Sequence, residues 1–129
     1  MTPENNILIV TPRMEELAAL CRSNTLIEAG LYREYDVKRG LRDVNGKGVL
    51  AGLTNISDII AQREVDGILQ PCPGELYYRG IRIEELVQGF VREGRKGYEE
   101  VAYLLLFGRL PDAKELGSFK SLLAQGRTL

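Results

Sequence analysis

Acid–base and nucleophilic catalysis near neutral pH most often uses histidine, and this 129-residue chain contains none. The candidate thiol nucleophiles are Cys21 and Cys72, and neither has a histidine to act as its base. Their wide separation and the lack of further thiols leave any zinc site incomplete. We therefore predict two free thiols in a cytoplasmic protein and no bound metal; a disulfide between the two cysteines is the alternative, which no sequence feature supports.

Paired carboxylates are the next candidates for chemistry, and they occur as Glu84-Glu85 and Glu99-Glu100. Each pair falls in the first turn of a predicted helix, where negative charge interacts favourably with the helix dipole. Adjacent residues on a helix project about 100° apart, so the two carboxylates of a pair do not share a site. These acids are predicted to stabilise helix starts and not to form a catalytic dyad.

A phosphate-binding loop is not predicted, although Gly46-Lys47-Gly48 joins a lysine to glycines. A Walker loop needs serine or threonine after the lysine, and glycine follows here. The spacing of Gly46, Gly48 and Gly52 also misses the dinucleotide-binding pattern by one residue. The segment is predicted to be a flexible turn.

The charge balance argues against a nucleic-acid partner, because the chain has 17 Lys and Arg residues and 18 Asp and Glu residues, and so no basic excess. One small basic cluster lies beside two aspartates and is predicted to be solvated surface: Lys38, Arg39 and Arg42, with Asp36 and Asp43. No stretch approaches the roughly 18 apolar residues of a membrane span. We expect neither a nucleic-acid nor a membrane partner.

The most distinctive local string is Leu76-Tyr77-Tyr78-Arg79-Gly80. It fits the end of a strand with packed tyrosines, an arginine bonded to carbonyls or a carboxylate, and a glycine that allows the turn. The alternative is an anion-binding Arg79. A lone arginine needs convergent partners for that role, and the sequence identifies none, so the structural interpretation is favoured.

The first half of the chain predicts one clear helix followed by a small irregular antiparallel sheet. Thr11-Pro12 is a helix start, and apolar residues at helical spacing continue it over residues 12–22. A second short helix is predicted within residues 23–40. A strand is predicted over residues 53–62 and another at 76–78, with turns at Asp66-Gly67 and around residues 71–74.

The second half is predicted to be helical. A first helix starts near Ile83, and the next, over residues 98–107, has almost no polar side and should be buried all round. Gly108 fits its C-cap, and Asp112 with Glu115 forms a capping-box pair that opens a helix over residues 112–125. A wholly buried helix needs cover on every side, so we expect the chain to belong to a larger helical body.

The order and spacing of several strings resemble the citrate synthase family over roughly two-thirds of the chain. They are Gly74-Glu75-Leu76-Tyr77-Tyr78-Arg79-Gly80, Ile83-Glu84-Glu85-Leu86, the run from Tyr98 to Gly108, Leu110-Pro111, Glu115-Leu116 and Phe119. Upstream, Gly40-Leu41-Arg42-Asp43-Val44, Thr54, Ile56 and Asp66-Gly67 also fit. Residues 1–35 show no match.

The resemblance implies a mainly α fold: the amino-terminal part of the family's large helical domain, with a small antiparallel β-hairpin. Residues 1–35 would be an amino-terminal tail and helix, and residues 36–129 the incomplete large domain. The family condenses acetyl-CoA with oxaloacetate in the tricarboxylic acid cycle and works as a homodimer. The helix over residues 112–125 resembles one at the family's subunit interface.

No catalytic, cofactor-binding or metal-binding residue is carried over from the family. Its aspartate base and its histidines lie in motifs that this chain does not contain, and Asp58 and Asp66 do not sit in the catalytic motif. We therefore expect an inactive scaffold fragment that binds no cofactor by itself. Two alternatives stay open: a fragment of a 2-methylcitrate synthase that uses propionyl-CoA, and a stand-alone helical interaction module.

Overall fold

A computed structural model of the chain describes residues 9–38, 40–42, 45–46 and 48–127. The elements follow in the order α1 (Pro12–Asn24), α2 (Ala29–Glu34), β1 (Ser57–Val65), β2 (Ile68–Tyr78), β3 (Ile81–Arg82), α3 (Ile83–Arg92), α4 (Tyr98–Phe107) and α5 (Ala113–Gln125). The three strands form one antiparallel sheet in the order β1-β2-β3. The fold is therefore mixed, and the expected mainly α fragment with a small hairpin underestimates the sheet.

The helix ends confirm the predicted capping signals. The amide of Met14 donates to Thr11 Oγ1 at the start of α1 (3.3 Å). At the start of α5, the amide of Glu115 donates to Asp112 Oδ1 (2.8 Å), and the amide of Asp112 donates to Glu115 Oε2 (2.9 Å). Each bond satisfies a backbone group that the helix leaves unpaired.

The core is an aromatic cluster between α1, α4 and α5. Tyr103, Phe107 and Phe119 pack edge to face, with ring centroids 4.5 to 5.8 Å apart. Leu17 of α1 closes the cluster, and Leu104 is fully buried. The core therefore joins the first helix to the last two.

The prediction that residues 98–107 are buried all round is wrong for the described residues. Tyr98 is 74% exposed and Leu106 45% exposed, because α1 and α5 cover only one side of α4. Gly108 does cap this helix as predicted, with a positive φ of 79° that suits glycine. An apolar side of α4 is therefore left open.

The sheet departs from the prediction at two places. β1 begins at Ser57 and not at residue 53, and the predicted turn at Pro71, Pro73 and Gly74 lies inside β2. Prolines are tolerated there because the register shifts between Ile60 and Gln62, so that β2 bulges against β1. The predicted turn at Asp66-Gly67 is confirmed.

Other expectations concern the chain as a whole. Among the described residues, every helix is too short or too polar to cross a bilayer. The division into residues 1–35 and 36–129 stays a prediction. The short helix predicted within residues 23–40 is present as α2.

Candidate functional site

Cysteine and metal chemistry have little support in the described residues. Cys21 and Cys72 are both free thiols and half-buried. No group of three or more cysteine, aspartate or glutamate side chains is placed to hold a metal ion in the described ranges. Polar groups converge around Arg79, Glu75 and Glu115, and Arg95 also pairs with both Glu93 and Glu100.

The Arg79 guanidinium binds backbone carbonyls from separate parts of the chain. Its Nε and Nη2 donate to the Leu105 carbonyl (3.2 and 2.9 Å), and Nη1 donates to the Asn24 carbonyl (3.0 Å). Nη1 also donates to Asn55 Oδ1 (2.9 Å), while Asn55 Nδ2 donates to the Asn24 carbonyl (3.0 Å). The guanidinium thus joins α1, the segment before β1, and α4.

Local backbone geometry places this side chain. Arg79 and Gly80 form the tight turn between β2 and β3, with φ values of 48° and 82°. The carbonyls of Asn24 and Leu105 lie at the carboxyl ends of α1 and α4, where the helix dipole favours a cation. The favoured structural interpretation of Arg79 is confirmed, because its donors are engaged within the chain.

A shallow cleft of about 240 Å³ lies beside Arg79. Its polar wall consists of Thr54, Asn55, Ser57 and Asp58. The Arg79 guanidinium already donates to the carbonyls of Leu105 and Asn24, so it is not free to hold an anion in the cleft. The arrangement therefore stabilises the junction of sheet and helices.

Glu75 forms the second cluster, on the sheet. Arg63 Nη2 donates to both of its carboxylate oxygens (2.9 and 3.0 Å), and the Tyr77 hydroxyl donates to Oε2 (2.7 Å). These bonds, from Tyr77 first and then Arg63, lower the pKa of Glu75, and the same contact raises the pKa of Tyr77. An ionised Glu75 is a weak base, so the cluster holds strands together.

Glu115 forms the third cluster, before α5. Arg109 Nη1 donates to Glu115 Oε2 (2.8 Å), and the Arg109 guanidinium lies 5.9 Å from the centre of the Tyr103 ring. The Arg109 contact first, and then the Asp112 amide, lower the pKa of Glu115 to about 2. Burial raises the pKa of Tyr103. The cluster fastens the α4–α5 connection to the aromatic core.

The paired glutamates behave as predicted. Both pairs lie in first turns, Glu84 and Glu85 in α3, and Glu99 and Glu100 in α4. Their ion-pair partners are three different arginines: Arg82 for Glu84 (3.4 Å), Arg127 for Glu99 (3.8 Å) and Arg95 for Glu100. No pair shares a partner, so no dyad is formed.

The remaining sequence candidates are dispersed. Arg42 pairs with Gly48 in an isolated bridge and donates to the Gly46 carbonyl (2.8 Å). Asp58 lies in β1, and Asp66 lies in the β1–β2 turn with a φ of 53°. Lys38 pairs with Asp36 (2.7 Å). Arg39, Asp43, Val44 and Lys47 lie outside the described residues.

Sequence reasoning missed the Arg63–Glu75–Tyr77 cluster. Arg63 and Glu75 are twelve residues apart on strands whose register includes the bulge. No periodic pattern reports such a register. The alternation of Glu75 and Tyr77 on one strand was the only available signal, since residues two apart share a face.

Comparisons with known proteins agree on one family. The family model described as "Citrate synthase, C-terminal domain" matches residues 40–129. A glyoxysomal citrate synthase of Cucurbita maxima is 32% identical over 102 residues, and the 2-methylcitrate synthase 1 of Corynebacterium glutamicum is 32% identical over 93. A citrate synthase of Saccharolobus solfataricus is 46% identical over 50 residues.

Two of these matches cover most of this chain, and all three cover little of each relative. The first two cover 76% and 72% of the chain, and 18% and 19% of the relatives. The third covers 39% of the chain and 12% of the relative. The chain thus spans less than a fifth of the length of the curated relatives it matches. No solved structure matches it.

Proposed function

Because the chain belongs to the citrate synthase family, we propose that it forms part of the scaffold of a citrate synthase-type acyltransferase. The reaction joins acetyl-CoA to oxaloacetate and hydrolyses the thioester to citrate and free CoA. One observation carries this proposal: the family match spans residues 40–129 in a chain without histidine. The expected amino-terminal position within a full-length member stays a prediction.

The chemistry of the reaction supports a scaffold role. A thioester α-carbon is a weak acid, so its deprotonation needs a positioned base and donors to the enolate oxygen. Glu75 and Glu115 are bound to arginines, and the pKa of each carboxyl is lowered by hydrogen bonds that include the arginine contact, which makes both weaker bases. We propose that the base and the donors are supplied from outside these 129 residues.

The exposed surface supports packing against further protein. The chain exposes 10,507 Å², whereas a compact monomer of 14.4 kDa exposes about 6,800 Å². Only six hydrophobic side chains of the described residues are buried. A larger body of the size of the relatives would supply the missing cover, for example over Leu106.

The acyl substrate has a second candidate. One matched relative is a 2-methylcitrate synthase, which favours propionyl-CoA as the alternative to acetyl-CoA. Its identity to this chain equals that of the glyoxysomal citrate synthase, 32% in both cases. Acetyl-CoA stays the first choice because two of the three relatives are named citrate synthases.

We also propose a homodimer through α5, on the part of this helix that the core does not bury. Phe119 is 4% exposed and belongs to the core, so it is not available to a partner. Leu116 and Gly117 instead line an open cleft of about 440 Å³ with Leu110 and Pro111. We propose that the α5 contact between subunits lies at this cleft. We also propose that the protein is cytoplasmic and keeps both cysteines as free thiols.

The activity assay tests the scaffold role. The purified chain is incubated with acetyl-CoA and oxaloacetate, and with propionyl-CoA in parallel, while free CoA is followed with a thiol reagent. We expect no CoA release above the protein-free control with either substrate. Turnover that follows the chain through successive purification steps would contradict the proposal.

The α5 contact is tested by a bulky residue at an open position. A Cβ at Gly117 meets no atom within 4 Å, so Gly117→Gln leaves the chain's own packing intact. We expect it to weaken self-association in sedimentation, because the side chain fills the cleft. Ser118→Gln, at an exposed neighbouring position, is the control. Equal association of both variants and the parent would remove α5 from the interface.

A further inference from the structure

Two dipeptides of this chain place a side-chain amide or carboxyl group directly before glycine. They are Asn45-Gly46 and Asp66-Gly67, and each of these dipeptides occurs once in the sequence. The backbone nitrogen of such a glycine can attack Cγ of the preceding residue and close a cyclic imide. Glycine permits this attack more readily than other residues, because it has no side chain beside the attacking nitrogen. Both dipeptides are chemically capable of the reaction, so the fold decides which of them reacts.

Asp66-Gly67 is held in the turn of the β1–β2 hairpin. The two residues have φ values of 53° and 76°, and Val65 pairs with Ile68 directly beside them. Two successive left-handed residues are the geometry of the tight turns that join antiparallel strands. To bring the glycine nitrogen to Cγ, Asp66 must rotate about its Cα–C bond, and this rotation would separate Val65 from Ile68. The pairing of β1 with β2 therefore opposes ring closure at Asp66.

Asn45-Gly46, by contrast, lies outside the helices and strands. Both residues are exposed, and a Cβ placed at Gly46 would meet no atom within 4 Å. The pairing described on either side of them is the isolated bridge between Arg42 and Gly48. Arg42 Nη1 donates to the Gly46 carbonyl (2.8 Å), which lies on the other side of Gly46 from the attacking nitrogen. Rotation at Asn45 therefore breaks no strand ladder, and the space beside Gly46 is open.

We propose that Asn45 is a site of spontaneous deamidation through a cyclic imide, and that the hairpin protects Asp66 from the corresponding reaction. The Gly46 nitrogen loses its proton to a base in solution and forms a bond to Cγ of Asn45, and the side-chain nitrogen leaves as ammonia. Water then adds to one of the two carbonyl carbons of the imide and breaks the bond between that carbon and the Gly46 nitrogen. The product is aspartate or isoaspartate, and the reaction needs no oxidant or cofactor.

The reaction changes both the charge and the backbone of this segment. The formal net charge of −1 becomes more negative by one unit, because a neutral amide is replaced by a carboxylate. Isoaspartate also lengthens the backbone by one methylene group between Arg42 and Gly48. We therefore expect the modification to alter the Arg42–Gly48 bridge and to leave the described helices and strands in place. The proposal does not depend on any catalytic role of the chain.

A second Asn-Gly dipeptide placed in the hairpin gives a matched comparison. Asp66→Asn supplies it, in a turn whose left-handed residues suit asparagine and glycine. The variant is incubated in mildly alkaline buffer made with oxygen-labelled water, and its peptides are analysed by mass spectrometry for loss of ammonia and gain of one solvent oxygen. In the folded chain we expect conversion at Asn45 to be at least about tenfold faster than at position 66. In urea the two rates should become equal, because the hairpin is then lost.

The parent chain supplies an internal reference that needs no substitution. Asn55 precedes Ile56, and its Nδ2 donates to the Asn24 carbonyl (3.0 Å), so it should stay intact while Asn45 reacts. Asn45→Gln should abolish the fast reaction, because a side chain longer by one methylene group closes its ring less readily. Circular dichroism checks that the variants keep the fold. Asn45 that stays intact in the folded chain, or conversion as fast at Asn55 or at position 66 of the variant, overturns the proposal.

Discussion

The helical core and the β1–β2 hairpin hold their shapes in different ways. In the core, Leu17, Tyr103, Phe107 and Phe119 come from three helices and bury their side chains against one another. In the hairpin, residues 57–78 pair along the backbone, and most of their side chains stay exposed. Burial of apolar surface stabilises the first region, and local hydrogen bonding shapes the second.

This difference separates a region that buries its own apolar side chains from one whose side chains stay exposed unless further protein packs on them. A two-stranded ribbon is marginally stable unless a further layer packs on it. One side of α4 also exposes apolar side chains, so the helical region too would be stabilised by further protein packed on it. A small core and exposed apolar surfaces are what we expect of a scaffold segment that packs against the rest of a larger enzyme.

The largest loss of stability is expected from a substitution in the helical core, whereas a substitution in the hairpin should have little effect. Phe119→Ala removes one ring of the aromatic cluster and should lower the free energy of unfolding by about 3–5 kcal/mol. Ile68→Ala, at an exposed hairpin position, should change it by less than about 0.5 kcal/mol. Urea unfolding of both variants is the measurement. Similar losses would mean that the two regions do not differ in energetic weight.

Arg79 joins the two regions, and its removal should have the next largest effect. Arg79→Ala leaves the Leu105 and Asn24 carbonyls without their charged donor and should cost about 2–3 kcal/mol. Arg79→Lys keeps the charge but loses the planar fork, so an intermediate loss is expected. Urea unfolding of both variants tests this order. A neutral Arg79→Ala would show that the guanidinium does not hold the junction.

Two glycines of the helical region should respond in opposite directions to an added methyl group. A Cβ at Gly97 would approach the Phe90 ring to 2.3 Å, so Gly97→Ala should cost about 1–3 kcal/mol. Gly117 lies in α5 with open space around it, and Gly117→Ala should stabilise by up to about 1 kcal/mol through helix propensity. Thermal unfolding compares them. Shifts of the same sign would contradict the predicted packing at Gly97.

The smallest expected effect is the pH dependence of the free energy of unfolding that Glu115, beside the helical core, contributes. The pKa of Glu115 is lowered to about 2 by Arg109 and the Asp112 amide, from 4.5. Its contribution to stability is therefore present at neutral pH and is lost as the pH falls from about 4.5 to 2. Glu115→Gln should reduce the loss of stability over that window. Unfolding curves at several pH values check this, and identical pH dependence in both proteins would contradict it.

The helices were more predictable from the sequence than the sheet. Thr11-Pro12, Gly108 and the Asp112–Glu115 pair act within one turn of helix, so their signals are local, and the predicted bounds of α4 are those observed. The register of β2 depends on a bulge that pairs residues across the hairpin, which local patterns do not report. The partners of Arg79 are 24 to 55 residues away in the chain.

The proposed scaffold role is tested most directly at the first chemical step. Removal of a proton from the acetyl group of acetyl-CoA can be followed by NMR as exchange of the methyl protons in deuterated water, with and without oxaloacetate. We predict that the purified chain leaves the exchange rate at that of buffer, because it contains no histidine and because the lowered pKa values of Glu75 and Glu115 make these two carboxylates poor bases. Exchange that increases in proportion to the concentration of the chain would contradict the proposal that its residues serve only as scaffold.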